Sequence, residues 1–213
     1  MQGLHRSIQR EMNSFYQRIK NKDFSIQEAT KSAFTHARKN FSWEAFVKLN
    51  QAGIESFYKD APYLTWNGYR LLGIDGSTVV LPNHSSIEKE FGVVGLGKNA
   101  DCPRSMARIS MLFDLLNLTT LDGQIDAYTA SERDLARKHF KFINPGKDLV
   151  IMDRGYPSIR LMYEMQQGGK DFCIRMKDNW WVEVKEMLDN GETDKIVHFK
   201  LPAKDRDVLN EYN

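Results

Sequence analysis

Residues 69–81 read YRLLGIDGSTVVL, and residues 148–153 read DLVIMD. The first stretch is rich in apolar and β-branched residues and predicts a strand interrupted at Asp75-Gly76. The second is a continuous apolar run between two acids, the pattern of a strand buried on both faces. Working outward, Met106–Asn117 and Leu121–Thr129 predict two further strands, with Leu121-Asp122-Gly123 supplying turn chemistry between them. Ser131–Phe140 predicts a helix with Ser131 and Asp134 at its start. Pro157–Gln167 predicts another, with proline in its first turn. Asp171–Met176 is a short strand and Trp180–Leu188 a last helix. Asn83–Pro103 reads as one long loop, its Gly92, Gly95, Gly97 and Lys98 suggesting mobility.

The order is therefore three strands, then helix, strand, helix, strand, helix. Hairpins early and crossovers late imply an α/β domain with a mixed sheet flanked by helices, the order of a ribonuclease-H-like core.

Residues 1–60 read as helical and precede that core. Ser25 and Glu28 match a capping box, followed by Ala29, Ala33, Phe34 and Ala37 at helical spacing. Ser42 is placed to cap a second helix carrying Phe46, Leu49, Gly53 and Phe57. Residues 1–48 hold nine Lys or Arg against four Asp or Glu, a balance of +5 within a chain of net charge +2. A basic front end on a mildly acidic body fits a DNA-contacting arm joined to a core that works with carboxylates. Arg38 and Lys39 are the candidate contacts there. A solvated basic helix face explains the same charge. The expected organisation is a helical region over 1–64, a core over 65–193 and the start of a β-rich insertion over 194–213.

No run of eighteen apolar residues is present, so no membrane partner is expected, and the N-terminus lacks a secretory signal's apolar centre. The expected location is the cytoplasm. With two cysteines, neither a disulfide framework nor a cysteine zinc site is expected. His84 and His139 have no partners at metal-ligand spacing, which points to exposed or capping roles. Glycines 92, 95 and 97 are not followed by Lys-Ser or Lys-Thr and do not form a phosphate loop. Met106, Met111 and Leu112 read as core.

Asp75 falls within the first strand and Asp153 at the end of the fourth. In a ribonuclease-H-like sheet those strands are neighbours, so residues 78 apart in sequence meet in space. Paired carboxylates repel unless a cation lies between them, which makes the pair a natural site for Mg²⁺ or Mn²⁺. Taken singly, Asp75-Gly76 is a common turn dipeptide and Asp153 a plausible helix cap. Glycine follows Asp75 directly and recurs as Gly155, leaving room for a phosphate backbone.

The segment Thr65–Thr78, TWNGYRLLGIDGST, continued by Leu81-Pro82-Asn83, resembles the first-aspartate motif of insertion-sequence transposases of family four. Asp153-Arg154-Gly155-Tyr156-Pro157-Ser158 resembles the second-aspartate motif, and Phe172–Lys177 the strand after it. Ser131–Asp134 and Ala37–Ser42 add to a likeness spanning roughly residues 25–200. The resemblance implies a DDE enzyme. Such an enzyme nicks transposon ends with metal-bound water, then uses the freed 3′-hydroxyl to attack target DNA. It implies Asp75 and Asp153 as catalytic metal ligands, with Arg154 and Tyr156 contacting DNA or bracing the site. For Tyr156, a buried ring beneath the sheet is an equal alternative. Expected partners are DNA, as element ends and target, and a second copy of the chain in the DNA complex; Lys98 joins the candidate DNA contacts.

The family's third acid lies in a Tyr-x2-Arg-x3-Glu-x6-Lys signature, and none of the eight tyrosines here is followed by Arg three residues on. Glu186 and Glu183 stand 33 and 30 residues after Asp153, the short spacing of other DDE groups. Trp180, Trp181, Val184 and Leu188 instead suggest an ordinary amphipathic helix whose acids face solvent, leaving Glu186 a weak substitute. The expectation is thus a truncated fragment of poor activity. The alternatives are a non-catalytic DNA-binding remnant that inhibits full-length copies, and a ribonuclease-H-like nuclease.

Overall fold

The computed structural model describes residues 7–23, 27–95, 103–179 and 181–209. The chain divides into two compact units, Met1–Glu55 and Ser56–Asn213. In the first lie α1 (Ile8–Ile19), α2 (Lys31–Lys39) and most of α3 (Glu44–Asp60). Ser7 caps α1 by accepting from the Arg10 N–H. The Gln9 side chain ties α1 to the start of α2, donating to the Ala29 carbonyl and accepting from the Lys31 N–H, both at 2.8 Å.

The cap of α2 differs from expectation. Ser25 lies outside the described residues, and Ala29 precedes the helix. Thr30 does the capping, its hydroxyl accepting from the Ala33 N–H at 3.1 Å. Glu28 faces Lys20 and Lys22 instead. Thr30→Ala is expected to remove about 1 kcal/mol of stability, read as a lower urea midpoint for loss of helical circular dichroism.

The second unit is built on β1 (Arg70–Val80), β2 (Met106–Asp114), β3 (Thr119–Ala127), β4 (Asp148–Met152) and β5 (Asp171–Ile174). Their order in the sheet is β3-β2-β1-β4-β5, with β1, β2 and β3 antiparallel in sequence and β4 and β5 parallel to β1. This is the ribonuclease-H-like arrangement. Between β3 and β4 runs α5 (Glu132–Lys138), and between β4 and β5 runs α6 (Ile159–Gln167). Right-handed crossovers stepping in the same direction across a sheet put both helices on one face. Their Ala136, Leu161 and Met165 accordingly share one core cluster with Leu72, Ile74, Leu112, Val150 and Met152.

That one-sided cover corrects three expectations. β4 alternates between buried and half-buried residues rather than being buried on both faces. Met111, expected in the core, is 37% exposed because it projects from the opposite face, against Gly123. Gly123 is not a turn residue but lies inside β3. The β2–β3 turn falls earlier, where Asp114 Oδ1 accepts from the Leu116 and Asn117 N–H groups at 3.0 Å each and Leu118 takes φ 53°. An Asp side chain mimicking a backbone turn outcompetes the Asp-Gly pair downstream.

The expected loop after β1 contains α4 (Ser85–Phe91), with the His84 ring accepting from the Ser86 N–H as its cap. Residues 96–102 lie outside the described set. Beyond β5, α7 (Val182–Asp189) is followed by irregular chain and a short 3-10 helix at Ala203–Val208.

Candidate active site

The parallel register of β1 and β4 aligns Leu72 with Val150, Gly73 with Ile151 and Ile74 with Met152. Asp75 and Asp153 each follow directly on the last pair of that register, Ile74 and Met152. Both aspartates are exposed, at the end of β4 where its pairing with β1 stops. Asp75 Oδ1 accepts from the Gly76 N–H at 2.8 Å, which fixes that carboxylate against its own strand. After β4 the chain turns sharply, the Tyr156 N–H donating to the Asp153 carbonyl at 3.1 Å. Arg133, the second residue of α5, clamps this turn by donating to the carbonyls of Tyr156 and Gly155 at 3.2 and 3.3 Å. The loop bearing Asp153 is therefore held by a helix from the preceding crossover. Ser158 then opens α6, accepting from the Leu161 N–H.

Three further side chains gather near Gly76 and Gly155. Arg108 Nη1 meets Glu132 Oε1 at 2.9 Å. Glu132 lies over both glycines: a Cβ at Gly76 would meet its Cγ at 3.3 Å, and one at Gly155 would meet its Oε2 at 3.4 Å. Tyr156 is only 2% exposed. Its hydroxyl ends 3.3 Å from where a Gly76 Cβ would stand, and it makes no hydrogen bond. Burial, then the charges of Glu132 and Asp75, pushes the phenol's pKa well above the ordinary range; Ser110 and Arg108, also close, pull the other way. Tyr156 stays protonated beside the Ser110 hydroxyl. A cavity of about 460 Å³ opens here, lined by Arg108, Tyr128, Glu132, Arg133 and Gly155 among others.

Deeper in the same layer lies a buried polar chain. His139 Nδ1 meets Asp122 Oδ2 at 2.7 Å and its Nε2 meets Ser110 Oγ at 3.0 Å. His139 is wholly buried rather than exposed, and it occupies the C-cap position of α5, one of the roles expected of it. It follows α5 directly, on the side that faces the sheet. Burial, only partly offset by Asp122, depresses the imidazole pKa below its usual value near 6.5. The neutral ring donates to Asp122 and accepts from Ser110. Stability linked to this group is complete above about pH 6.5 and is lost as pH falls through the lower folded-state pKa, because the unfolded chain then binds the proton more readily. The urea midpoint is expected to fall between pH 7 and 5, and His139→Gln to flatten that slope.

The other candidates are placed as follows. Arg154 is exposed next to Asp153, and Tyr156 is buried, a position suited to bracing. Glu186 is exposed on α7, whereas Glu183 is half-buried. Arg38 and Lys39 are exposed in the last turn of α2 in the N-terminal unit. A larger cavity of about 660 Å³ there is lined by Phe34, Ala37, Arg38, Phe41, Trp43 and Phe46 and carries no carboxylate. Lys98 lies outside the described residues. Glu132, Arg133 and Arg108 are the residues that sequence reasoning did not assign to the site. The signal for the first two was the Ser131–Asp134 segment, noted only as part of a family likeness.

Residues 66–211 match the family model described as Transposase DDE domain. The chain belongs to that family. The match begins just ahead of β1 and takes in every strand and both aspartates of this DDE domain. Among solved structures it is similar to the piggyBac transposase in a synaptic complex with hairpin DNA. That likeness is 15% identical, with a TM-score of 0.39, and covers 59% of this chain and 27% of that one. No curated protein matches. No described helix of the DDE domain or of the preceding unit is long and apolar enough to cross a membrane.

The residues of the site suit a divalent ion of the kind DDE enzymes use. Mg²⁺ and Mn²⁺ favour oxygen donors and retain water beside one or two carboxylates. Asp75 and Asp153 supply such donors, the glycines beside them leave space, and an unpartnered buried hydroxyl stands close by. Among the described residues no three acidic, His or Cys side chains are already gathered around one point.

Proposed function

We propose that this chain carries the metal-dependent DNA cleavage and strand-transfer centre of an insertion-sequence transposase of family four, with Asp75 and Asp153 as the carboxylates that hold Mg²⁺ or Mn²⁺. The observation that carries this reading is the β1–β4 register, whose last pair, Ile74 and Met152, directly precedes the two motif aspartates. The bound ion would supply Lewis-acid stabilisation and activation of the attacking oxygen. The chain's own part is to hold that ion: Arg133 fixes the Asp153 turn and the Gly76 N–H fixes Asp75. DNA is the proposed substrate, Arg154 a proposed phosphate contact beside the centre, and a second copy of the chain a proposed partner on DNA. Without the family's Tyr-x2-Arg-x3-Glu-x6-Lys signature among these 213 residues, strand cleavage by this chain is expected to be weak.

The test is incubation with Mn²⁺ and three labelled substrates: DNA from the flanks of the chain's own gene, unrelated DNA, and an RNA–DNA hybrid. The reading expects weak nicking confined to the flanking DNA and lost in Asp153→Asn. Preferred cleavage of the hybrid would instead make the chain a nuclease. Robust nicking abolished by Glu186→Gln would move the third acid to α7.

A second reading, DNA binding without catalysis, is favoured by the balance of +5 in residues 1–48 and by the exposure of Arg38 and Lys39. It expects salt-sensitive binding that survives Asp75→Ala with Asp153→Ala and falls in Arg38→Ala with Lys39→Ala.

A further inference from the structure

We propose that Glu132 is a third carboxylate of the metal centre, reaching a divalent cation held by Asp75 and Asp153 from the first residue of α5. This rests on the aspartate reading above and adds a ligand that neither the family signature nor the spacing of Glu183 and Glu186 supplies.

Glu132 touches both segments that carry the aspartates. Its Cγ would crowd a Cβ at Gly76, at 3.3 Å, and its Oε2 lies at contact distance, 3.4 Å, from where one at Gly155 would stand. The chain thus has glycine one residue after Asp75 and two residues after Asp153, at the two points over which this carboxylate lies. Among the described residues one of its oxygens is engaged: Oε1 accepts from Arg108 at 2.9 Å, and Oε2 turns toward Gly155. The side chain is 39% exposed, free enough to swing its second oxygen toward an ion.

An independent observation points to a ligand at the same place. The Tyr156 hydroxyl, on a residue only 2% exposed, lies near Ser110 but forms no hydrogen bond among the described residues, and like Glu132 Cγ it ends 3.3 Å from where a Gly76 Cβ would stand. Buried donors are almost always paired, so this one suits an oxygen that arrives with the ion, such as a metal-bound water. Arg108 supplies a countercharge beside Glu132.

The experiment is titration of Mn²⁺ into the full chain, followed by electron paramagnetic resonance of the free ion. Wild type is compared with Asp75→Asn, Glu132→Gln, Arg108→Gln and Glu186→Gln, each checked for folding by circular dichroism. Glu132→Gln is expected to weaken binding by at least about tenfold, and Glu186→Gln to leave it within about twofold. Arg108→Gln removes a positive charge beside the ion and is expected to tighten it. Should Glu132→Gln fail to fold, Glu132→Asp draws the same charge back by one methylene and is expected to weaken binding likewise.

Binding by Glu132→Gln equal to wild type, alongside loss in Asp75→Asn, would overturn the proposal and leave the aspartate centre standing. Equal weakening in Arg108→Gln and Glu132→Gln would also overturn it, since the ion pair rather than the carboxylate would then be responsible. No saturable binding by wild type would remove the aspartate centre and this ligand together.

Discussion

Asp148→Ala is expected to destabilise the chain by about 3–5 kcal/mol, the effect of leaving one member of a buried ion pair without its partner. Asp148 is fully buried and receives two parallel bonds from Arg70, Nε to Oδ1 at 2.7 Å and Nη2 to Oδ2 at 2.6 Å. The Asn144 N–H adds a third at 2.7 Å. Arg70 in turn lies under the Tyr58 ring, 4.5 Å from its centroid, and the Tyr58 hydroxyl donates to buried Asp114 at 2.6 Å. The pair joins the first residues of β1 and β4, the two strands that carry the candidate metal ligands further along. Urea unfolding should show the loss as a lower midpoint, together with weakened metal binding at temperatures where part of the chain is unfolded. Replacing both partners, as Arg70→Met with Asp148→Leu, should recover most of the loss, because two matched apolar groups leave no stranded charge. A midpoint for Asp148→Ala near that of wild type would mean that water reaches the pair.

The second large effect concerns the cation. A ligand that binds only the folded chain stabilises it by RT ln(1 + [L]/Kd), about 2.7 kcal/mol at a hundredfold excess over Kd. Saturating Mn²⁺ is therefore expected to raise the urea midpoint of wild type by that order. Asp153→Asn is expected to show no metal-linked rise, while its midpoint without metal stays close to wild type or above it, since removing one of two neighbouring carboxylates relieves repulsion. This pattern separates a ligand from a merely structural residue, which would lower the midpoint in both conditions. An equal metal-linked rise in Asp153→Asn would place the ion elsewhere.

The core of this arrangement was legible in the sequence because strand periodicity is a local signal. Residues 69–81 and 148–153 read as strands on their own composition, and the alternation of hairpins and crossovers sets which of them are neighbours. That is why Asp75 and Asp153 were assigned to one site from positions 78 apart. The turn between β2 and β3 was misplaced for an equally local reason: Asp122-Gly123 is a strong turn dipeptide, but Asp114 and Asn117 make the hydrogen bonds. What sequence could not show is the layer between helix and sheet. Ser110, Asp122 and His139 are far apart in the chain and lack any ligand spacing, yet they form one buried chain because β2, β3 and the end of α5 converge there. Glu132 was hidden in the same way. On a helix start, a glutamate ordinarily reads as a favourable charge at the dipole. Only the packing of α5 over Gly76 and Gly155 gives it a place at the site.

The most direct test of the central claim is a count of bound Mn²⁺ in wild type, Asp75→Asn and Asp153→Asn, with the folded state of each confirmed. Wild type is expected to show saturable binding, with affinity lower by more than about 100-fold in each variant, since loss of a direct ligand exceeds the 10–100-fold that supporting residues contribute. Binding of equal affinity in all three proteins would show that the two aspartates do not hold the ion, and the proposed cleavage centre would fall with them.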